Sequence, residues 1–451
     1  MPIEWRPQPR QLHLTNGRLS YVIGVLGDDT LGHLYLGPAL TMGRDYAHLG
    51  TPGFAGFDDR LGTPVALETP LGGGGDYRLP AVAVTLADGS GILHLAFTGH
   101  HIAAGKPPLP GLPSTYVEDD REAETVTVTV RDEASGLAVD IATTIFRDHD
   151  ALARSVRFRN EGTAPIRLLT AVSWSLDLPD AEWDLLHLSG AWARERHVVA
   201  RRLAPGRQGI ASTRGASGHE HNPCLVLRRP GTDEEHGAAI GLSLVYSGNF
   251  TADVEVEPYG TARARIGLNP DGFTWWLEPG AEFAAPEAVL VYSGAGLGAL
   301  SETFHGLYRT RLARGPWRDR DRPVLLNSWE GAYFAFDEDR LLGMATAAGE
   351  LGIELFVLDD GWFGTRDDDT TSLGDWVVDG RKLPHGLDPL ARRIEALGLS
   401  FGLWIEPEMV SPQSRLFEAH PDWAIGVPGR PRTTSRHQYV LDMGRPEVVD
   451  H

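Results

Sequence analysis

Two acids stand side by side at Asp359 and Asp360, directly after the apolar run Leu355-Phe356-Val357-Leu358 and before Gly361-Trp362-Phe363-Gly364. A second apolar run, Phe401-Gly402-Leu403-Trp404-Ile405, leads into Glu406-Pro407-Glu408. Carboxylates accept several hydroxyl protons, and tryptophan rings stack on the apolar face of a pyranose. Acids and tryptophans gathered at strand ends therefore read as a sugar pocket. Two charges at the mouth of a barrel are costly without a ligand; the plainer alternatives are a loop cap or a calcium-like ligand pair. Trp329 and Trp404 fall at strand ends, where stacking is favoured, whereas Trp362 is divided between core packing and ligand contact. Glu406 and Glu408 could serve as a glycosidase acid and base. Pro407 interrupts their strand, however, so a structural carboxylate is the preferred reading. Arg436, beside Gln438-Tyr439-Val440-Leu441-Asp442, is expected as a partly buried fork for a carboxylate or a hydroxyl.

Other constellations are weaker. His219 and His221 have no third ligand at a recognisable spacing, so a metal is not expected there. The glycines 72–75 lack the Lys-Ser/Thr of a phosphate loop and read as a flexible turn before Asp76-Tyr77-Arg78.

The elements that must position these groups come in two kinds. Residues 1 to about 300 alternate with period two, as at Val126, Val128 and Val130, at Val139 and Ile141, and at Val156 and Phe158. Turn signals at Asp132-Glu133-Ala134-Ser135-Gly136, Asn160-Glu161-Gly162 and Asn269-Pro270-Asp271-Gly272 divide the strands. Gly105-Lys106-Pro107-Pro108-Leu109-Pro110-Gly111 reads as an extended crossing segment. Stacked antiparallel sheets follow.

Near residue 300 the pattern changes. Residues 301–314 are helix-like. From Pro323 the order is strand (Val324 to Asn327), helix, strand (Leu355 to Leu358), helix, strand (Phe401 to Ile405). The first helix is capped by Asp337, shows Leu341, Leu342, Ala345, Ala348 and Leu351 on one face, and stops at Gly352. The second is expected to open at Asp388-Pro389 and to stop at Gly398, and Pro446 opens another. Apolar strands alternating with helices imply a parallel sheet. A complete (β/α)8 barrel takes roughly 250 residues, and Pro323 to His451 holds 129. About three of eight strands are therefore expected here, in a chain that stops short of closure; a smaller open α/β sheet is the alternative.

The chain has 451 residues and a formal net charge of −20, from 41 Lys and Arg against 61 Asp and Glu. That balance argues against nucleic acid and against an anionic membrane surface. Cys224 is the single cysteine, which precludes an intrachain disulfide and fits a reducing compartment. The start, Met1-Pro2-Ile3-Glu4-Trp5-Arg6, has no basic region followed by an apolar run, and no stretch of about 18 uncharged apolar residues exists. A cytoplasmic protein without secretory signal or membrane span is the expectation.

The sequence resembles the bacterial α-galactosidases of glycoside hydrolase family 36. The resemblance runs through Leu31-Gly32-His33-Leu34-Tyr35, Gly75-Asp76-Tyr77-Arg78-Leu79-Pro80-Ala81, Gly190-Ala191-Trp192-Ala193-Arg194-Glu195-Arg196 and Leu244-Val245-Tyr246-Ser247-Gly248-Asn249-Phe250. It continues in Pro286-Glu287-Ala288-Val289-Leu290, Asn327-Ser328-Trp329-Glu330-Gly331-Ala332-Tyr333-Phe334, the Leu358 to Gly364 run, and Trp404 to Val410. It implies a multidomain β plus α/β fold. The parts would be a β-supersandwich over residues 1–300, a helical linker over 301–322, and the first part of a (β/α)8 TIM barrel over 323–451. It also implies retaining hydrolysis of terminal α-galactosides such as melibiose and raffinose, without metal or cofactor.

By the same resemblance Asp359 and Asp360 match the pair that binds the galactose hydroxyls at C4 and C6. Trp329 and Trp404 match the aromatic walls of the pocket, Arg436 a pocket arginine, and Asp76 an N-terminal-domain carboxylate near the site. Trp192 matches a tryptophan that in tetrameric members reaches a neighbouring subunit's pocket, so a dimer or tetramer is implied for the full-length form. The family's nucleophile lies in a Lys-Trp-Asp-Met-Asn-type fourth strand and its acid/base near the sixth. Both are expected beyond His451, which leaves no catalytic residue in this chain and no turnover by it alone. A non-catalytic carbohydrate-binding or assembly subunit, and an α-N-acetylgalactosaminidase, are the rival readings.

Overall fold

The computed structural model describes residues 2–50, 65–73 and 76–451. Gly74 and Gly75 of the expected glycine turn lie outside the described residues. The chain divides into two compact units, Met1–Arg318 and Asp319–His451.

The described residues of the first unit form three antiparallel sheets. A four-stranded sheet runs Ile3–Arg6, Gln11–Thr15, Leu19–Val25, Leu31–Pro38 in sequential order. A six-stranded sheet is centred on Ile166–Leu178 and Ala262–Leu268. In the ten-stranded sheet Ala123–Asp132, Leu137–Phe146 and Ala151–Asn160 lie side by side. Their register explains the alternation seen in sequence: Val128 opposes Ile141, which opposes Val156, and Val130 opposes Val139, which opposes Phe158. All six are buried, while Thr127 and Thr129 between them are half-buried. One continuous core takes Leu14 and Tyr21 from the first sheet, Trp174, Val254 and Ile266 from the second, and Val130 and Phe158 from the third. Fully burying a side chain such as Phe158 contributes roughly 1.5–3 kcal/mol.

The turns are built as their residues suggest. Asp132 accepts from Ser135 N (2.8 Å) and Ser135 Oγ (2.6 Å). Gly136, at φ 73°, packs on the Asn160-Glu161-Gly162 turn so closely that a Cβ would fall 2.5 Å from Gly162 N. The crossing segment is pinned by Lys106, whose ammonium pairs with buried Glu287 at 2.6 Å. The helix expected over 301–314 runs Gly296–Arg311 and packs Leu300 and Leu307 against Ala153, Val289 and Val291 of the sheet.

The second unit holds a three-stranded parallel sheet in sequential order, Leu325–Asn327, Leu355–Leu358, Ser400–Leu403. The third strand thus ends two residues sooner than expected. Helix Glu338–Glu350 is capped by Asp337, whose side chain accepts from Arg340 N. It buries Leu341, Ala345 and Ala348, but Leu351 is 83% exposed, because the helix has already ended. Helix Leu387–Glu395 starts from Gly386 rather than from Asp388; Asp388 pairs instead with Arg392 one turn on, at 2.8 Å. The short helix Pro446–Asp450 follows the strand pair Met409–Val410 and Tyr439–Val440. The middle strand is the best covered, with Phe356 and Leu358 fully buried, whereas Leu325 and Leu403 on the outer strands are 49% and 37% exposed.

Candidate active site

The parallel ladder decides which residues meet. Ser328 N donates to Val357 O (3.0 Å) and Trp404 N to Leu358 O (2.9 Å), so all three strands release their chains at one level. Trp329, Asp359 and Trp404 leave the sheet from that common C-terminal edge, the end where parallel α/β sheets carry their ligands.

Asp359 is half-buried and held by neutral donors. Asn327 Nδ2 donates to its Oδ2 at 2.5 Å, and the backbone N of Asp360 donates to its Oδ1 at 2.7 Å. Its own N–H donates to Ser328 Oγ (3.1 Å). Asn327 also accepts from Trp329 N (2.7 Å), so one amide orients both the acid and the tryptophan.

Asp360 is buried and held by a cation. Arg366, itself 1% exposed, donates from Nε to Oδ1 (2.5 Å) and from Nη2 to Oδ2 (2.8 Å). Its Nη1 donates to Thr371 O (2.6 Å). Bidentate guanidinium–carboxylate pairing fixes the carboxylate plane as well as its charge.

Trp329 sits on the one-turn helix Trp329–Ala332, with Tyr333 and Phe334 edge-on to its ring at 5.1 and 5.0 Å. Tyr333 takes φ 45°, ψ −130°, a region that costs an aromatic residue about 1–3 kcal/mol. Trp404 lies beside Phe363 and Trp376, both with centroids at 6.4 Å. Trp362 resolves to the core: it is 3% exposed and its indole N–H donates to Trp404 O (3.0 Å).

Glu406 and Glu408 are not a strand pair. The strand has ended at Leu403, so two-residue spacing gives them no common face. Glu406 accepts from Arg436 Nη2 at 2.5 Å, and Glu408 is exposed. The Arg436 fork is not partly buried as expected but 63% exposed. The reason is its turn: Ser435 and Gln438 bond each other reciprocally around Arg436 (φ 49°) and His437 (φ 63°), which projects both side chains outward.

The two remaining candidates belong to the first unit. Asp76 accepts from Arg78 Nε (3.0 Å) and Nη2 (3.0 Å) and from Arg263 Nη2 (2.8 Å). Burial pushes its carboxyl upward, but the Arg78 hydrogen bond and the Arg263 charge outweigh that and hold it below its usual value. Arg263, fully buried, also pairs with Asp177 at 2.6 Å. Trp192 is 83% exposed at the tip of the hairpin Asp184–Ala191/Arg194–Arg202.

His219 is exposed, and His221 Nδ1 bonds Ser189 Oγ at 2.9 Å. Among the described residues no group of three or more His, Cys, Asp or Glu side chains could hold a metal ion. No helix of the described residues is long and apolar enough to cross a membrane.

Sequence reading missed Arg366 and Asn327, which hold Asp360 and Asp359, and Lys382, whose Nζ donates to Gly361 O and Arg366 O. Each acts by folding back on a residue from another position, which periodicity does not encode. The one available signal was an adjacent acid pair followed by a glycine-bounded loop containing a single arginine.

The family model for the glycosyl hydrolase family 36 N-terminal domain matches residues 29–278, and that for melibiase matches residues 282–451. The α-galactosidase AgaA of Geobacillus stearothermophilus is 48% identical over 459 residues, covering all of this chain and 63% of its own length. The crystal structure of AgaB from the same organism superposes with a TM-score of 0.95 at 48% identity, over 100% of this chain and 63% of that one. A variant of AgaA in complex with raffinose gives 0.94 at 48% identity, over 98% and 62%. The chain thus spans somewhat under two thirds of the length of these relatives.

Proposed function

The chain belongs to glycosyl hydrolase family 36, and on that premise we propose that it carries the sugar-gripping part of a retaining α-galactosidase acting on terminal α-D-galactosyl residues of raffinose-type oligosaccharides. The observation that carries the reading is the common strand-end level of Asp359, Asp360, Trp329 and Trp404. Charged acceptors beside aromatic faces suit the hydroxyls and the apolar face of a galactose ring. Arg436, anchored on Glu406, adds a donor. The three sequential parallel strands with their crossover helices are the opening of a (β/α)8 barrel over 323–451. The β-supersandwich covers 1–300, with 301–322 between; the division between compact units at Arg318 and Asp319 supports a barrel part that begins near 323 and leaves 301–318 with the first unit. Asp76 braces the first unit through Arg78 and Arg263, and Trp192 serves a neighbouring subunit in a homo-oligomer.

The acids at the sheet edge behave as binding groups: Asp360 and Glu406 are each held by an arginine and Asp359 by an amide. A retaining mechanism needs two carboxyl groups about 5–5.5 Å apart, free to attack and to exchange a proton. The 451-residue protein is therefore expected to bind galactose and raffinose in calorimetric titration and to release no nitrophenol from nitrophenyl α-galactoside. Absence of galactose binding rejects the reading. Release of nitrophenol rejects the assignment of these acids to binding alone.

A further inference from the structure

The loop after Asp360 is built backward onto it. Gly361 turns the chain at φ 101°, and a Cβ there would meet Phe334 at 3.0 Å and Phe336 at 3.3 Å. Six residues after Asp360 the chain returns Arg366, whose guanidinium lies over the rings of Phe334 and Phe363, 5.7 and 5.6 Å from their centroids. A second cation ties the two ends of this loop. Lys382, 8% exposed, donates from Nζ to Gly361 O (3.0 Å) and to Arg366 O (2.7 Å), and pairs with Asp367 at 3.2 Å.

Arg366 does not use up Asp360. A carboxylate offers about four acceptor sites, and the fork occupies one on each oxygen. Among the described residues no other group donates to that carboxylate, and the side chain retains 10% exposure. One acceptor site on each oxygen is left, in a plane that the guanidinium fixes. A buried ion pair is weak evidence of stability, because apolar replacements often do as well; orientation is what a planar fork supplies and a lysine cannot.

We propose that Arg366 is a positioning residue that presents Asp360 to two sugar hydroxyls at a fixed angle, with Lys382 holding the loop that carries it. The inference rests on the sugar-binding role assigned above to Asp360. The experiment is a double-mutant cycle on the 451-residue protein, reading galactose affinity by calorimetry and folding by thermal unfolding. Arg366→Lys should weaken galactose binding at least tenfold while the protein remains folded, since an ammonium keeps the charge and loses the plane. Asp360→Asn should weaken it by a similar or larger factor. The two together should be no weaker than Asp360→Asn alone, because Arg366 acts through Asp360. Full affinity in Arg366→Lys, or additive losses in the double variant, overturns the positioning role. Unchanged affinity in Asp360→Asn overturns the binding reading itself, as does failure of the unsubstituted protein to bind galactose. If Arg366→Lys does not fold, Arg366→Gln, which keeps an amide donor for Asp360, takes its place in the cycle with the same outcomes.

Discussion

Two buried carboxylates, one in each unit, share a partner type and differ in how completely they are enclosed. Glu68 in the first unit is 3% exposed and pairs with Arg154 at 2.7 Å through Oε2. Its Oε1 also accepts from Tyr21 Oη (2.7 Å) and bonds His33 Nδ1 (2.9 Å). Arg154 in turn lies 4.1 Å from the Trp174 ring centroid and donates to Thr143 Oγ1. Asp360 in the second unit has Arg366 and no other donor among the described residues. The same ion-pair chemistry closes a core when groups from two sheets enclose the acid, leaving its side chain 1% exposed, and keeps an acid open to a ligand when it retains 10% exposure at a strand end. An arginine partner is therefore a poor guide to function; whether the paired acid still reaches the surface at a strand end is a better one.

The largest effect should come from breaking the closed network. Arg154→Leu leaves Glu68 without its cation and should cost about 3–5 kcal/mol in urea unfolding, with galactose affinity of the folded protein unchanged. A loss below about 1 kcal/mol would remove the distinction drawn here. Asp360→Asn is next: losing charged hydrogen bonds should weaken galactose binding by roughly 1.5–3 kcal/mol, about tenfold to a hundredfold.

A smaller effect is expected from pH. Burial raises the Glu68 carboxyl, but the Arg154 charge and the His33 hydrogen bond hold it below its usual 4.5; Asp76 likewise lies below its usual 3.8. Folded-state values below unfolded ones mean that this stabilisation is present above those ordinary values. It is lost as pH falls through the folded-state values. Thermal unfolding of the unsubstituted protein should therefore weaken on acidification below about pH 4, and Asp76→Asn should flatten part of that slope. An acid limb of unchanged slope in Asp76→Asn would show that its pairing with Arg78 and Arg263 is not linked to folding. The smallest effect is Trp192→Ala, an exposed site where stability should shift by no more than about 0.5 kcal/mol. A change in subunit number by light scattering, with that stability retained, would support its role toward a neighbouring chain.

The units also differ in how far they were legible beforehand. Alternation at Val126, Val128 and Val130 led directly to a strand, because a half-buried antiparallel sheet writes its two faces into every second residue. The helix cap at Asp337 was equally readable, since it is satisfied within three residues. Boundaries failed where a tertiary contact competes with a local signal. Asp388-Pro389 looks like a helix start, yet the helix already opens at Gly386, and Ile405 looks like strand although pairing ends at Leu403.

The residues themselves determined the division into a β part and an α/β part, the positions of the acids and tryptophans at strand ends, and a family resemblance resting on contiguous runs. All of these are local: they depend on side chains a few positions apart and on the period of burial. Only the tertiary structure decided that Asp360 is clamped by Arg366, that Asp359 is oriented by Asn327 from the neighbouring strand, that Trp362 belongs to the core, and that the Arg436 guanidinium lies out in solvent on Glu406. Those outcomes depend on which chain segments a parallel register and a closing loop bring within about 3 Å of each other, and no property of a single residue or its sequence neighbours specifies that.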